Sequence, residues 1–101
     1  MTLTKKQVKQ LRSMANQLKP LIQIGKNEVN EATVKQADET IEKRELIKCS
    51  VLDGCGVDAK EASELLAEAL GAEVVQVIGN RFVIYRRSHR DDVEKIRLVR
   101  E

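Results

Sequence analysis

Aromatic residues are almost missing from this chain: Phe82 and Tyr85 are the whole set, and there is no tryptophan. Its core must therefore be aliphatic. Cysteine is scarce as well. Cys49 and Cys55 are too few for the disulfide framework of a small secreted domain, and a reducing, cytoplasmic setting is the expectation. No apolar run approaches the ~20 residues that cross a bilayer. The charged N-terminus has no apolar stretch behind it, so a secretory signal is not expected, nor is a membrane partner. Chemistry has little to work with. The one histidine, His89, sits in a charged tail, no serine lies in a nucleophile elbow, and there is no Walker loop. The carboxylates fall mainly on helix surfaces, where solvation explains them. Cys49, Cys55 and His89 fit no zinc spacing and lack a fourth ligand. The expectation is a protein that is not an enzyme, with no metal, no cofactor and no small-molecule substrate.

What is present is charge, unevenly placed. Residues 1–27 hold Lys5, Lys6, Lys9, Arg12, Lys19 and Lys26 and no acid at all. Residues 28–73 are net −7 and residues 74–101 net +3, so the overall +2 conceals a basic front, an acidic middle and a basic end. Charges scattered for solubility alone are the plainer alternative, but an acid-free opening is unusual in a chain with 16 acids. Such a pattern predicts one positive face and a polyanionic partner. At 101 residues, 42% of them apolar, the chain suits one domain with one modest core.

Local signals place the elements. Thr4-Lys5-Lys6-Gln7 fits a capping box, and Val8, Leu11, Ala15 and Leu18 recur on one helix face behind it. Pro20 closes that segment. Lys5, Lys9, Arg12 and Asn16 form a different stripe, joined by Lys19 if the last turn persists. Leu21-Ile22-Gln23-Ile24 reads as a short strand ended by Gly25. Asn30 caps a second helix, roughly 31–44, with Val29 and Val34 placed for a hydrophobic staple. Val34, Ala37 and Ile41 face inward there, and Lys35, Asp38, Glu39, Glu42 and Lys43 are its solvated side. Leu46 to Leu52 is a second strand, and Asp53-Gly54-Cys55-Gly56 a loop. Asp58-Ala59-Lys60-Glu61 opens a third helix, with Ala62, Leu65, Leu66 and Ala69 as its apolar face and Gly71 at its C-terminal cap. Val74 to Ile78, the turn Gly79-Asn80 and Arg81 to Arg86 make a hairpin. The tail, 87–101, docks through Val93, Ile96 and Leu98, or frays. Strands alternating with helices imply crossovers and parallel pairing, and the hairpin adds an antiparallel pair. The expected fold is α/β (an α+β two-layer arrangement) in the order α-β-α-β-α-β-β, with a four-stranded mixed sheet, as a single domain over residues 1–101.

Gly25-Lys26-Asn27-Glu28 lies between a strand and a helix. A helix start offers unpaired N–H groups and the positive end of a dipole, where a phosphate can sit. Gly25 permits backbone shapes that other residues resist, Lys26 adds a cation, and Asn27 tolerates left-handed geometry and can donate from its amide. A glycine at a strand end followed by a solvated turn is ordinary, so the loop alone is a weak signal. The basic stripe of the first helix strengthens it. Arg81, Arg86 and Arg87 add cations around the last hairpin, and arginine suits bidentate phosphate contacts. Tyr85 offers a ring to a base, although in an apolar strand such a ring more often packs in the core. The residues expected to touch RNA are Lys5, Lys9, Arg12, Lys19, Gly25, Lys26, Asn27, Arg81, Arg86 and Arg87.

Longer segments carry a resemblance. Leu18-Lys19-Pro20 leading into Ile22-Gln23-Ile24-Gly25-Lys26-Asn27, then Glu45-Leu46-Ile47-Lys48, Val75-Gln76-Val77-Ile78-Gly79, Val83-Ile84-Tyr85-Arg86 and Lys95-Ile96-Arg97-Leu98, span nearly the whole chain. Together they resemble the CRM domain (chloroplast RNA splicing and ribosome maturation), most closely its free-standing bacterial YhbY-like form. The resemblance implies a fold similar to the C-terminal domain of translation initiation factor 3, and binding of structured RNA. Bacterial members of the family associate with precursors of the large ribosomal subunit and plant relatives assist intron splicing. It therefore implies a factor that binds ribosomal RNA in pre-50S assembly; separately, a monomer is expected. Two residues depart from the family pattern. Val99 stands where a proline is expected, and Glu28 takes the place of the second glycine of a Gly-x-x-Gly loop. Either Asn27 carries the needed geometry, or Glu28 points away and favours the helix dipole, or the loop binds RNA less tightly.

The rival reading is a protein–protein adapter whose acidic middle helices bind a basic ribosomal or RNA-processing protein; RNA binding that survives without protein partners separates the two. A small enzyme needs a deep polar pocket with convergent side chains. DNA binding lacks an evident recognition helix.

Overall fold

The computed structural model describes residues 3–26 and 28–99. Side-chain caps set its helices. Helix α1 (Lys5–Ala15) starts where the Thr4 hydroxyl accepts the Gln7 N–H at 3.2 Å and the Gln7 side chain accepts the Thr4 N–H at 3.0 Å. Helix α2 (Glu31–Arg44) starts at Asn30, whose side chain accepts the Thr33 N–H at 2.9 Å. Helix α3 (Ala59–Leu70) starts at Asp58, which accepts the Glu61 N–H at 2.8 Å, and stops at Gly71 with φ 67°, a left-handed cap that glycine adopts without strain. The strands are β1 (Ile22–Ile24), β2 (Leu46–Val51), β3 (Glu73–Ile78) and β4 (Arg81–Tyr85), in the sheet order β1-β2-β4-β3. β1 runs parallel to β2, and β4 pairs antiparallel with both β2 and β3, so the sheet is mixed as its connections require.

Alternation along the strands divides the core in two. Ile47, Cys49, Phe82 and Ile84 join Ile22 and Ile24 on one face, under Ala37 and Ile41 of α2 and Ala62 and Leu66 of α3. Leu46, Val83 and Tyr85 point the other way, with Val75, and meet Leu11 and Ala15 of α1. Ile96 and Leu98 of the tail pack against this second cluster. Thus α1 and the tail add a partial layer on the face that a two-layer arrangement leaves open. A register shift between Val74 and Gln76 makes Val75 an extra residue, and its carbonyl accepts the Arg12 Nε–H at 3.3 Å. Helix α3 sits differently from expectation. Leu65 is 45% exposed and Ala69 is also outside, while Ala59, Ser63, Ala67 and Leu70 are buried with Ala62 and Leu66. Ser63 is tolerated inside because its hydroxyl donates to the Lys60 carbonyl at 2.7 Å.

One side chain fixes the tail. Glu45 follows α2 with φ 64° and is completely buried. Its Oε2 accepts the Ser88 N–H and its Oε1 the Ile96 N–H, both at 2.6 Å. Its own carbonyl accepts the Arg86 N–H at 2.9 Å. Further out, the Gln7 and Gln10 side-chain amides donate to the Val99 and Arg97 carbonyls, and Gln10 Oε1 accepts the Val99 N–H at 2.8 Å. The tail is therefore docked through Val99. Glu45→Gln keeps the shape but turns an amide nitrogen toward one of the two N–H donors. Denaturant unfolding should show a loss of about 3 kcal/mol, and hydrogen exchange should show faster exchange at Ser88 and Ile96. Wild-type protection at both would contradict the clamp.

Candidate nucleic-acid interface

The inward stripe of α1 is fixed by Leu11 and Ala15, which leaves Lys5, Lys6, Lys9 and Arg12 exposed, with Lys19 exposed just beyond the helix. Among the described residues none of these enters a salt bridge, and Arg12 spends one donor on the Val75 carbonyl. Arg81 is also exposed, and Lys48 is half-buried. Register pairs Arg81 with Ser50 and Lys48 with Val83, which places both on the α1 face of the sheet. Lys43, Arg44 and Lys48 are not among the residues expected to touch RNA. For Lys48, alternation from Leu46 is the sequence signal that assigns its face.

The loop differs from expectation in its details. Lys26 is exposed, Gly25 is half-buried, and Asn27 lies outside the described residues. Gly25 is not left-handed, and a Cβ there would make ordinary contact with Leu52 at 3.7 Å. The left-handed residue is Glu28, φ 56°, whose N–H donates to the Gly25 carbonyl at 2.9 Å and closes the turn. Its carboxyl turns to the neighbouring loop, where a Cβ on Gly56 would lie 3.2 Å from Glu28 Cδ. The first turn of α2 is already supplied by the Asn30 side chain and by Glu31. A phosphate contact here therefore rests on Lys26 rather than on a vacant helix end.

Arg86 is corrected. Alternation puts it on the Phe82 and Ile84 side, where its Nη1 meets Asp38 Oδ1 at 2.8 Å and the Leu70 carbonyl at 2.9 Å, and its Nη2 meets Glu42 Oε2 at 3.2 Å. Its side chain is 11% exposed, so the guanidinium ties α2 to the end of α3 and offers little to a phosphate. Asp38 and Glu42 are accordingly not a merely solvated pair. Arg87, the next residue, is exposed. Tyr85 is 2% exposed and closed to a base. Cys49 is buried, which pushes its thiol up to about 12, while His89 lies beside Glu42 in the tail. Among the described residues no three His, Cys, Asp or Glu side chains gather to hold a metal.

The sequence matches the model of the CRS1 / YhbY (CRM) domain over residues 3–86. It is 45% identical over 86 residues to the "Probable RNA-binding protein YqeI" of Bacillus subtilis, a match covering 85% of this chain and 90% of that one. It is 33% identical over 97 residues to an RNA-binding protein of Haemophilus influenzae, covering 92% and 94% respectively. The "Probable RNA-binding protein MJ0652" of Methanocaldococcus jannaschii is 37% identical over 86 residues, which are 83% of this chain and 63% of that longer protein. The solution structure of the hypothetical protein SAV1595 from Staphylococcus aureus superposes with a TM-score of 0.75 at 48% identity, covering 94% of this chain and all of that one.

Two outcomes follow from the geometry. Glu28→Gly removes a left-handed backbone from a side chain that resists it. Thermal melting should show a gain of roughly 0.5–1 kcal/mol after glycine's greater chain entropy is subtracted; a lower melting point would mean that the carboxyl contact over Gly56 outweighs the strain. Burial raises the pKa of Glu42, but the His89 N–H and the Arg86 guanidinium outweigh it and hold the carboxyl below its ordinary value. A lowered folded pKa contributes stability that is full above the unfolded value and is lost as pH falls through the folded one. Arg86→Met should make the acid limb of a stability–pH curve shallower; an unaltered limb would contradict the pairing.

Proposed function

The chain belongs to the CRS1/YhbY (CRM) domain family, and on that premise we propose that it is an RNA-binding accessory protein that docks on ribosomal RNA during assembly of the large subunit. The observation that carries this reading is the sorting of its cations. Lys5, Lys6, Lys9, Arg12, Lys19 and Lys26 come from the acid-free opening, all are exposed, and none is neutralised by a salt bridge among the described residues. The relatives named as RNA-binding proteins support RNA as the polyanion, and the large-subunit assignment rests on the family resemblance. The interface takes Lys5, Lys9, Arg12 and Lys19 from the α1 segment, Lys26 within the Gly25-Lys26-Asn27 loop, and Arg81 and Arg87 at the two ends of β4. Each phosphate that these side chains neutralise releases condensed counterions, so binding is salt-dependent and needs no catalytic step. The protein acts as a monomer in the cytoplasm, a setting in which its two free cysteines stay reduced.

The test is binding to purified large-subunit precursor RNA across a salt series. Lys5→Glu combined with Lys9→Glu should weaken binding roughly tenfold at moderate salt and lower the salt slope by about 0.7–0.9 per phosphate contact removed. Lys60→Glu, on α3 across the sheet from α1, should leave both unchanged. Equal affinity for the wild type and the double variant would refute the proposed face, and RNA binding that appears only with a protein partner present would favour an adapter.

A further inference from the structure

A second group of cations, Lys43, Arg44 and Lys48, lies outside the α1 segment and meets it at Lys19. The end of α1, the segment leading into β1, and Ile96 of the tail wall a cleft of about 510 Å³ on the α1 side of the sheet. Its rim carries Lys19, Lys43, Arg44 and Lys48, and among the described residues no Asp or Glu lines it. None of these cations is in a salt bridge among the described residues. On the outer side, Glu39 of α2 shares a shallow hollow with Lys43 and Arg44. The floor is aliphatic, with Met14 40% and Leu21 43% exposed above buried Leu46. Lys48 also lines an adjoining hollow of about 210 Å³ with Asn16, Gln76, Ile78 and Arg81. The two hollows thus meet at Lys48 and form a track from the end of α2 to the β3–β4 turn.

We infer that this track takes a run of unpaired RNA nucleotides, with phosphates on the Lys19, Lys43, Arg44 and Lys48 rim and bases laid on the aliphatic floor. The inference rests on the RNA-binding reading above and gives it a substrate class. A concave surface with cationic edges and an apolar bottom complements a chain that has charge along one side and flat apolar faces along the other. A duplex has its base faces stacked away and gains nothing from the floor, whereas unpaired bases gain contact area. The Arg44 guanidinium adds a planar cation able to stack on a base. An acidic peptide satisfies the rim but has no flat faces for the floor.

The experiment compares a uridine oligonucleotide with a fully paired RNA duplex. The triple variant Lys43→Gln, Arg44→Gln, Lys48→Gln should lose roughly tenfold in affinity for the oligonucleotide and bind the duplex as the wild type does. A 4-thiouridine-substituted oligonucleotide, crosslinked to the wild type, should label the segments holding Met14 or Leu21. Equal losses on both probes, no loss on the oligonucleotide, crosslinks confined to other surfaces, or displacement of the oligonucleotide by polyglutamate as readily as by RNA would each overturn the inference. Should the wild type still bind precursor RNA in those cases, the proposed function stands without it. A wild type that binds no RNA fails both.

Discussion

Glu45 makes the two faces of the sheet different. It sits at the sharp passage from α2 to β2, fully buried, with a positive φ of 64° in a sparsely populated backbone region that costs a non-glycine residue about 1–3 kcal/mol. Its carboxyl oxygens hold the Ser88 and Ile96 N–H groups at 2.6 Å, and these two hydrogen bonds, one buried and one partly so, contribute about 1 kcal/mol or more each and offset that strain. Because Ile96 is held there, the tail and α1 close together over Leu46, Val83 and Tyr85. The same Ile96 walls the cationic cleft. A single side chain thus connects the tail, the smaller core and the shape of the surface that the family's binding role calls for.

The charges follow the same division. On the α2 and α3 side one arginine is consumed within the structure: Arg86 is spent on Asp38 and Glu42. The remaining acids of those helices face outward and repel a polyanion. On the α1 side the cations are left over, because the segment that supplies most of them has no acid to pair with. Surface pairs contribute little to stability, so leaving these lysines unpaired costs the fold little and keeps their charge for a partner. The modest net charge of +2 is the cancellation of two opposed surfaces.

What was legible in the sequence is what depends on near neighbours. The caps at Thr4, Asn30, Asp58 and Gly71, and the turn at Gly79-Asn80, rest on residues within a few positions of one another, and the structure has them all. So do the element order and the mixed sheet. What escaped depends on distant partners. Glu45 looks like one more acid at a charged helix end, because its partners lie 43 and 51 residues away. Arg86 looks like a free cation until strand alternation places it against α2. Ser63 hides the true buried face of α3, which shifts Leu65 outward, and the bulge at Val75 breaks the period of β3. In the loop, position 28 was flagged by the family pattern, and the structure shows why: the left-handed backbone falls there, on glutamate, and not on Gly25.

The poverty of aromatics finally constrains how such a surface reads RNA. Phe82 and Tyr85 are 0% and 2% exposed, so no ring is offered to a base, and the ~1–3 kcal/mol that an aromatic platform supplies per base is absent. On the proposed reading, most of the binding energy must then come from phosphates and depend steeply on salt. Any discrimination comes from the shape of the cleft, since aliphatic floor residues distinguish an unstacked base from a paired one better than one base from another. Charge spread over several lysines speeds the encounter with a polyanion. On the proposed reading, that surface senses whether a stretch of RNA is paired more than which bases it carries.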